Sequence, residues 1–330
     1  MIKMGKRMDT KCAIDKYIET LNEKTKKTVN KMIDPDVIVL YEKNIGKSVF
    51  DMSMDEIYEL VKVCALNLSK TPSSSIVFKF VKFFSNLTDW YSDNVEHILS
   101  PVRKARVTNT DCFERVIEDE PVLDKEYFES IIKTIKEDQD LWEEKRIYME
   151  MILRLFYDGF YNSDEIIMLK EKDIDFQKMS VKIGDRNVQL TEKTFNLLLY
   201  CHNINECNPP NTHREGIMYK GSYIKFFTKD INSFTMGKSN NIVLFRNNLN
   251  SVVFKTLRDR YNFFIRGRQI HIIGVYEKIK NIFGDATDQI IRATDRESNA
   301  KLRATLELIG TPISLVNFKS DSLRCIAKRK

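Results

Sequence analysis

The sequence predicts a mainly α-helical protein with a small β-sheet, that is, an α+β fold. Through long segments, apolar residues recur at every third or fourth position, which is the period of a helix with one buried face. Two short runs of strand-favouring residues flank Gly184-Asp185, and this arrangement is typical of a tight β-hairpin. The 330 residues, 42% of them hydrophobic and 30% charged, indicate a globular protein of one large or two ordinary domains.

Two amphipathic helices are predicted in the N-terminal part. The first lies within Asp51 to Leu68, and a break with Pro72 at its centre follows it. The second covers Ile76 to Tyr91 and carries Lys79 and Lys82 on one polar stripe, either as a solvated face or as a contact for phosphates. The apolar face of the second helix consists of Phe80, Phe83, Phe84, Leu87, Trp90 and Tyr91.

A domain boundary is predicted beyond these helices. The helical pattern stops at Pro101, a basic connector follows, and the acidic run Glu114 to Glu120 then suggests an exposed linker. We therefore expect a helical domain over 1–107, a linker over 108–120 and a second domain over 121–330.

The second domain begins with predicted helices at Leu123 to Asp138 and Glu143 to Tyr157, the latter ended by Gly159. Ser163 is predicted to cap a short helix from Asp164 to Leu169, because its hydroxyl can accept a bond from a first-turn amide.

A hairpin is then predicted from Met179 to Ile183 and Asn187 to Leu190, followed by a helix at Thr191 to His202. Residues 203–240 are rich in Asn, Gly and Pro and are predicted to be irregular with one or two short strands. Helices are expected to dominate from there to the C-terminus.

Charge is distributed unevenly, although the formal net charge is only +6. Residues 1–107 hold 18 basic and 14 acidic side chains, residues 108–150 hold 6 and 14, and residues 151–330 hold 29 and 19. The segment 217–270 has ten Lys and Arg against two Asp. Such a surplus is typical of a surface that binds a polyanion, and the alternative is a set of solvated loops.

Other classes of protein are disfavoured by composition. No apolar run reaches the ~18 residues of a membrane span, and six cysteines without regular spacing favour free thiols in a reducing cytoplasm. The spacing of Cys201, His202, Cys207 and His213 matches no common zinc site. We expect neither a metal nor a cofactor.

The stretch from Met151 to Leu190 carries a family pattern. A helix ends in Tyr157-Asp158-Gly159, the segment Asp164 to Lys170 with the short helix follows, and Asp173 to Phe176 leads into the hairpin. This order resembles the start of the catalytic domain of tyrosine recombinases, the phage integrase family. The resemblance implies a three-stranded sheet here and a helical core-binding domain before it.

Three further segments extend this resemblance over roughly residues 60 to 315. Ser73 to Arg106 is similar to the last long helix of the core-binding domain and the basic linker after it. Val243 to Phe245 is similar to a strand of the family, and Leu302 to Gly310 resembles the helix that ends at the family's Gly-His pair.

The positions that support cleavage in the family hold other residues here. The first arginine position falls on Tyr161 or Asn162, Arg186 is the nearest substitute for the hairpin lysine, and Gly310 is followed by Thr311 instead of histidine. Because cleavage needs positioned cations and donors around the phosphate, these replacements imply a weakened catalytic centre.

The nucleophile is also replaced. The family's tyrosine would fall on Lys319 or Ser320, and no tyrosine follows Tyr276. For the second arginine, Arg292 is the best positional candidate and Arg296 is the fallback. The resemblance therefore implies a tyrosine recombinase fold that is not an enzyme.

These observations predict a sequence-specific double-stranded DNA-binding protein, its two domains closing as a clamp around the duplex. The expected role is a transcriptional repressor that maintains the lysogeny of a prophage, in the cytoplasm of a bacterial host and associated with the nucleoid. Further partners considered are a second copy of the chain on DNA and a regulatory protein. The candidate DNA contacts are Lys79, Lys82, Arg103, Lys104, Arg106, Arg186, Lys225, Arg258, Arg260, Arg266, Arg268, His271, Arg292 and Arg296.

Two alternatives remain open on the sequence. One is an active recombinase with a displaced nucleophile, Tyr261 or Tyr276. The other is a protein-interaction module that keeps the fold and binds no DNA.

Overall fold

The chain forms two compact units, Met1–Glu120 and Pro121–Lys330. Its described residues are mainly helical, with one three-stranded antiparallel sheet in the second unit, which confirms the predicted class. None of the helices in this part of the chain combines the length with the apolar character that a membrane span requires. The computed structural model describes residues 8–95, 109–169, 171–203, 246–247 and 249–326.

The described part of the first unit contains six α-helices. A capping box begins the fourth: the Ser53 hydroxyl accepts a hydrogen bond from the Glu56 amide, and the Glu56 carboxylate accepts one from the Ser53 amide. Two backbone donors of the helix start are thereby satisfied. The helices are α1 (Thr10–Glu19), α2 (Glu23–Met32), α3 (Pro35–Ile45), α4 (Met54–Leu68), α5 (Ser74–Asn94) and α6 (Asn109–Val116).

Helix α5 confirms the amphipathic pattern predicted for Ile76 to Tyr91. Phe80, Phe84 and Leu87 are buried, whereas Lys79 and Lys82 are exposed. The Ser73 hydroxyl caps the first turn by accepting a bond from the Ile76 amide. The two lysines thus lie on one solvent-facing side of the helix, as predicted.

The segment expected to be a linker, 108–120, contains helix α6. Cys112, Phe113 and Val116 are buried, and the helix packs against α4 and α5. Acidic side chains at the surface of this helix suggested a linker, but its apolar residues at helical spacing belong to the core of the first unit.

The described part of the second unit contains nine α-helices and three strands. A π-helical turn, Ser251–Lys255, precedes the fifth of these helices. The elements are α7 (Lys125–Glu137), α8 (Glu143–Asp158), α9 (Ser163–Ile167), β1 (Ile174–Asp175), β2 (Ser180–Ile183), β3 (Arg186–Gln189), α10 (Glu192–Asn203), α11 (Thr256–Tyr261), α12 (Gly267–Phe283), α13 (Thr287–Arg292), α14 (Arg296–Ile309) and α15 (Leu315–Ser322).

The predicted hairpin is confirmed and forms the sheet together with β1, in the order β1-β2-β3. Val181 pairs with Val188, and both side chains are buried on one face. Gly184 has a φ of 59° at the first position of the two-residue turn, where glycine adopts this conformation without strain.

The short helix α9 begins one residue earlier than predicted. Asn162, not Ser163, is its cap, because the Asn162 Oδ1 accepts a bond from the Glu165 amide at 3.0 Å. An asparagine side chain caps a helix as well as a serine hydroxyl does, so the sequence pattern does not distinguish Asn162 from Ser163 as the cap.

Helix α12 is the central helix of the second unit. It packs against α7, α8, α14 and α15, and nine of its 17 residues are buried. A helix that is apolar on nearly all sides needs neighbours all round it. Its position brings His271 and Lys278 next to the sheet. The predictions for 204–240 and for Val243 to Phe245 lie outside the described residues.

Candidate functional site

A small cavity of about 280 Å³ lies where β3, α12 and the end of α14 meet. Its basic lining side chains are Arg186, His271 and Lys278. The remaining lining residues are Asp158, Gly159, Asn187, Val188, Gln189, Val275, Leu308, Ile309, Gly310 and Thr311. We call this cavity the cation pocket, after the cationic side chains of Arg186 and Lys278 that line it.

Arg186 projects from β3 on the same side as Val188 and is held by two acceptors. Its Nη1 donates to the Gly159 carbonyl at 2.9 Å, and its Nη2 donates to the Glu165 carboxylate at 2.5 Å. Glu165 also accepts from the Tyr161 amide at 2.6 Å. Because arginine has five N–H donors, further donors remain for a ligand in the pocket.

His271 lies at the base of the pocket with none of its surface exposed. Its Nε2 is 2.9 Å from the Thr311 hydroxyl, and its ring meets the Tyr161 ring edge to face at 5.5 Å. Burial, together with the charges of Arg186 and Lys278, lowers the pKa of His271 from 6.5 to about 3. The imidazole is therefore neutral at physiological pH.

Lys278 donates from Nζ to the backbone carbonyl of Asp158 at 2.5 Å. Burial lowers the pKa of Lys278, and the charge of Arg186 acts in the same direction, while Asp158 opposes them. Burial conversely raises the pKa of Asp158, although its carboxylate accepts bonds from the Thr191 amide and hydroxyl at 2.8 and 3.1 Å. Two cations, one of them paired with Glu165, and one buried acid thus share a small volume.

The residues at the positions where the resemblance would place catalytic side chains have structural contacts. Thr311 bonds His271, Asn162 caps α9, and Tyr161 packs on His271. Lys319 on α15 donates to the Ala293 carbonyl and to the Asn299 Oδ1. Each of these residues therefore contributes contacts to the fold.

Arg292 and Arg296, the candidates for the second arginine, do not line the cation pocket. Both are exposed, the first at the end of α13 and the second at the start of α14. Within the described residues, the second cation of the pocket is Lys278. The assignment of either residue as the second arginine stays a prediction.

Several arginines predicted to contact DNA form ion pairs with acidic residues. Arg258 pairs with Asp259 at 2.7 Å, and Arg268 pairs with Asp321 at 2.7 Å. Arg260 pairs with Asp138 and Asp140. Their charges are partly neutralised within the protein, so each would contribute less to the attraction of a polyanion than an unpaired arginine.

The other predicted contacts differ in exposure. Arg266, Lys79 and Lys82 are exposed, whereas the burial of His271 contradicts a surface contact through its side chain. Arg103, Lys104, Arg106 and Lys225 lie outside the described residues. Apart from His271, these assignments stay predictions.

Two groups of lysines in these cavities were not predicted from the sequence. Lys278 stood in the sequence as one lysine among several on a helix, and only the packing of α12 places it beside Arg186. Lys172, Lys178 and Lys182, spread over eleven residues, line one open groove beside the sheet. Alternation along the hairpin could have placed Lys182 on its outer face, but no sequence pattern joins the three.

The bond between Arg186 and Glu165 is expected to stabilise the second unit. The two side chains are 18% and 17% exposed, so a double-mutant cycle with Arg186→Met and Glu165→Gln should give a coupling free energy of about 1–3 kcal/mol. Chemical denaturation of the four proteins measures it. A coupling near zero would mean that Arg186 is available to a ligand without loss of stability.

Comparison with protein-family models finds no match to this chain, and comparison with curated proteins finds none. Among solved structures, the crystal structure of XerA recombinase is similar, with 13% identity, a TM-score of 0.36 and coverage of 95% of this chain and 94% of that chain. A Tn1549 transposon integrase in complex with circular intermediate DNA has 13% identity, a TM-score of 0.33 and coverage of 89% and 93%. The fold class follows from the helices and strands described above and not from these scores.

Proposed function

We propose that the chain is a double-stranded DNA-binding protein on a tyrosine recombinase-like fold that recognises specific sites without cleaving them. The particular role we propose is a transcriptional repressor that maintains the lysogeny of a prophage. An integrase-like fold combined with other residues at the catalytic positions resembles the lysogeny repressor of SPβ-type prophages.

The proposal is supported mainly by the contacts of the side chain at the expected nucleophile position. By resemblance this position falls on Lys319 or Ser320, and Lys319 joins α15 to the residues around the start of α14 through Ala293 and Asn299. A lysine has no hydroxyl with which to form the phosphotyrosine-type ester of the family. A structural role for the side chain supports loss of cleavage.

The two tyrosines considered as displaced nucleophiles are poorly suited to attack. The Tyr276 hydroxyl donates to Asp288, and the Tyr261 hydroxyl donates to Asp138, each at 2.5 Å. Burial and these carboxylates raise the pKa of both phenols. Neither residue lines the cation pocket. Both tyrosines would therefore have to move, and lose a bond, before they could attack a phosphate held there.

The distribution of exposed cations supports DNA as the partner. Arg266 is exposed at the start of α12, and Arg296, between Asp295 and Glu297, is the first residue of α14. The N-terminus of a helix is its positive end, so a cation there weakens the helix slightly. Basic side chains at such positions instead strengthen the local positive potential, which attracts phosphates.

The proposal predicts salt-dependent retention of duplex DNA without a covalent product. The full chain is first used to select binding duplexes from a random-sequence pool. The logarithm of its affinity for a recovered duplex should then fall linearly with the logarithm of the salt concentration, with a slope of about −0.9 per phosphate contact. A suicide duplex with a nick should give no denaturation-resistant protein–DNA adduct.

An active tyrosine recombinase serves as the positive control for adduct formation, and the assay detects attack by any side chain, Ser320 included. An adduct that disappears in Tyr276→Phe or Tyr261→Phe would establish the active-recombinase alternative.

The interaction-module alternative rests on two exposed apolar side chains, Leu308 at 80% and Val316 at 76% exposure. A protein partner could cover them, although single exposed apolar residues are common. Failure of the chain to retain any duplex at low salt would favour this alternative.

A further inference from the structure

An open groove of about 560 Å³ lies along the outer side of the sheet. The lysines that line it do not line the cation pocket. The groove is lined by three lysines, Lys172, Lys178 and Lys182, and by the amide side chains of Gln177 and Asn187. The other lining residues are Asp173, Ile174, Asp175, Phe176 and Ser180. We call this site the sheet groove.

The register of the hairpin explains the polar character of the groove. Lys182 pairs with Asn187 and Ser180 pairs with Gln189, whereas Val181 and Val188 point to the core. Side chains alternate between the two faces of a strand, so these four polar residues share the outer face. Lys182, Asn187 and Gln189 are exposed, and this face therefore presents a cation and amides to a ligand.

The acidic residues of the groove do not cancel its lysines equally. The Asp175 carboxylate accepts bonds from the amides of Gln177 and Lys178 at 3.1 and 2.9 Å, and it lies 3.7 Å from the Lys178 Nζ. The Asp175 carboxylate is thus bonded mainly to backbone amides of its own turn. Lys172 and Lys182 form no ion pair with any side chain that the structure describes.

The groove and the cation pocket meet at one residue. Asn187 lines both, the groove together with the three lysines and the pocket together with Arg186 and Lys278. A long polyanion can contact cations of both sites at once, whereas a small anion would occupy one of the two sites.

We infer that the sheet groove binds duplex DNA, with Lys172, Lys178 and Lys182 on backbone phosphates and Asn187 on a base edge. This inference rests on the proposed function and adds to it the surface that reads sequence. A two-stranded ribbon is narrow enough to enter the major groove, where an asparagine can donate to and accept from an adenine edge. Lysines beside the ribbon fix its position through phosphates.

The phosphate contacts are tested by the salt dependence of binding, with a duplex recovered by the selection described above and a scrambled duplex of the same length. The variant Lys172→Gln/Lys178→Gln/Lys182→Gln should lower the magnitude of the salt slope by about 2.7 for both duplexes. The matched control Lys133→Gln/Lys280→Gln/Lys301→Gln removes the same charge at other sites of the second unit. Unfolding midpoints of both variants confirm that they fold.

The base contact is tested by discrimination between the two duplexes. Asn187→Ala should reduce the preference for the selected duplex about 10-fold or more while the salt slope stays unchanged. Asn196→Ala, which removes an exposed amide from α10, is the control and should leave the preference intact.

The outcomes separate this inference from the function on which it rests. If the wild-type chain binds duplexes and the two lysine variants have equal slopes, the sheet groove is not the contact surface and the proposed function stands. Normal discrimination by Asn187→Ala would overturn the base contact. If the wild-type chain retains no duplex, the proposed function fails and the inference fails with it.

Discussion

Gly274→Ala is expected to destabilise the second unit by about 3 kcal/mol, a large loss for a domain of ordinary stability. A Cβ atom at this position would lie 1.8 Å from the backbone oxygen of Tyr157 and 2.7 Å from its carbonyl carbon. Backbone atoms cannot rotate away as a side chain can, so α12 and α8 would have to separate. Denaturant-induced unfolding measures the loss.

Gly267→Ala is the matched control on the same helix. Its Cβ would meet the Phe156 ring, with the closest atom at 2.5 Å, and a side chain can move further than a backbone. We expect a smaller destabilisation, about 1–2 kcal/mol. Equal effects at both positions would contradict the close approach of the two helices at Gly274.

The effect of Gly274→Ala should extend to the DNA binding proposed above. His271 and Lys278 lie one turn either side of Gly274 on α12 and line the cation pocket. Separation of the helices would shift both relative to Arg186. The site is thus held by helix packing, and a single methyl group is expected to disturb stability and binding together.

Most elements with a strong apolar period could be predicted from the sequence. Helix α5 shows this, because its buried phenylalanines follow the 3.6-residue period. So does α14, which ends at Gly310 with a φ of 72° where a glycine is expected. The hairpin was also predictable, since the pair of strands needs only a local turn. These elements depend on interactions between residues close in sequence.

Features that depend on distant residues could not be predicted. Arg260 pairs with Asp138, 122 residues away, and nothing in the local sequence of either residue indicates the other. The run Glu114 to Glu120 suggested a linker for the same reason, because burial of Phe113 depends on contacts with α4 and α5. Charge counts alone therefore overstated the number of cations available to a polyanion.

The site itself could be predicted in part. Arg186 followed from its place in the hairpin, whereas Lys278 required the packing of α12 against α8. Gly274 was a possible signal: an isolated glycine within a helical pattern often marks a close approach of two backbones. A prediction of close contact at Gly274 would also have placed the buried face of α12, and with it Lys278, beside the end of α8.

The pH dependence of folding is expected to reveal the state of His271. Its pKa is 6.5 when exposed and about 3 in the fold, so the unfolded chain binds a proton in this range that the folded chain does not. Stability attributable to this residue is full above pH 6.5 and is lost as the pH falls toward 3. Between pH 6.5 and 4.5 we expect a loss of about 2 kcal/mol.

The variant His271→Gln isolates this contribution, because glutamine can still bond Thr311 but does not titrate. The raised pKa of Asp158 acts in the opposite direction, since a buried acid gains stability as it becomes protonated. Both proteins retain Asp158, so the difference between their stability curves cancels its effect. A difference that stays constant from pH 7 to 4.5 would mean that the His271 ring is protonated in the folded protein, and that the cation pocket is open to water at its base.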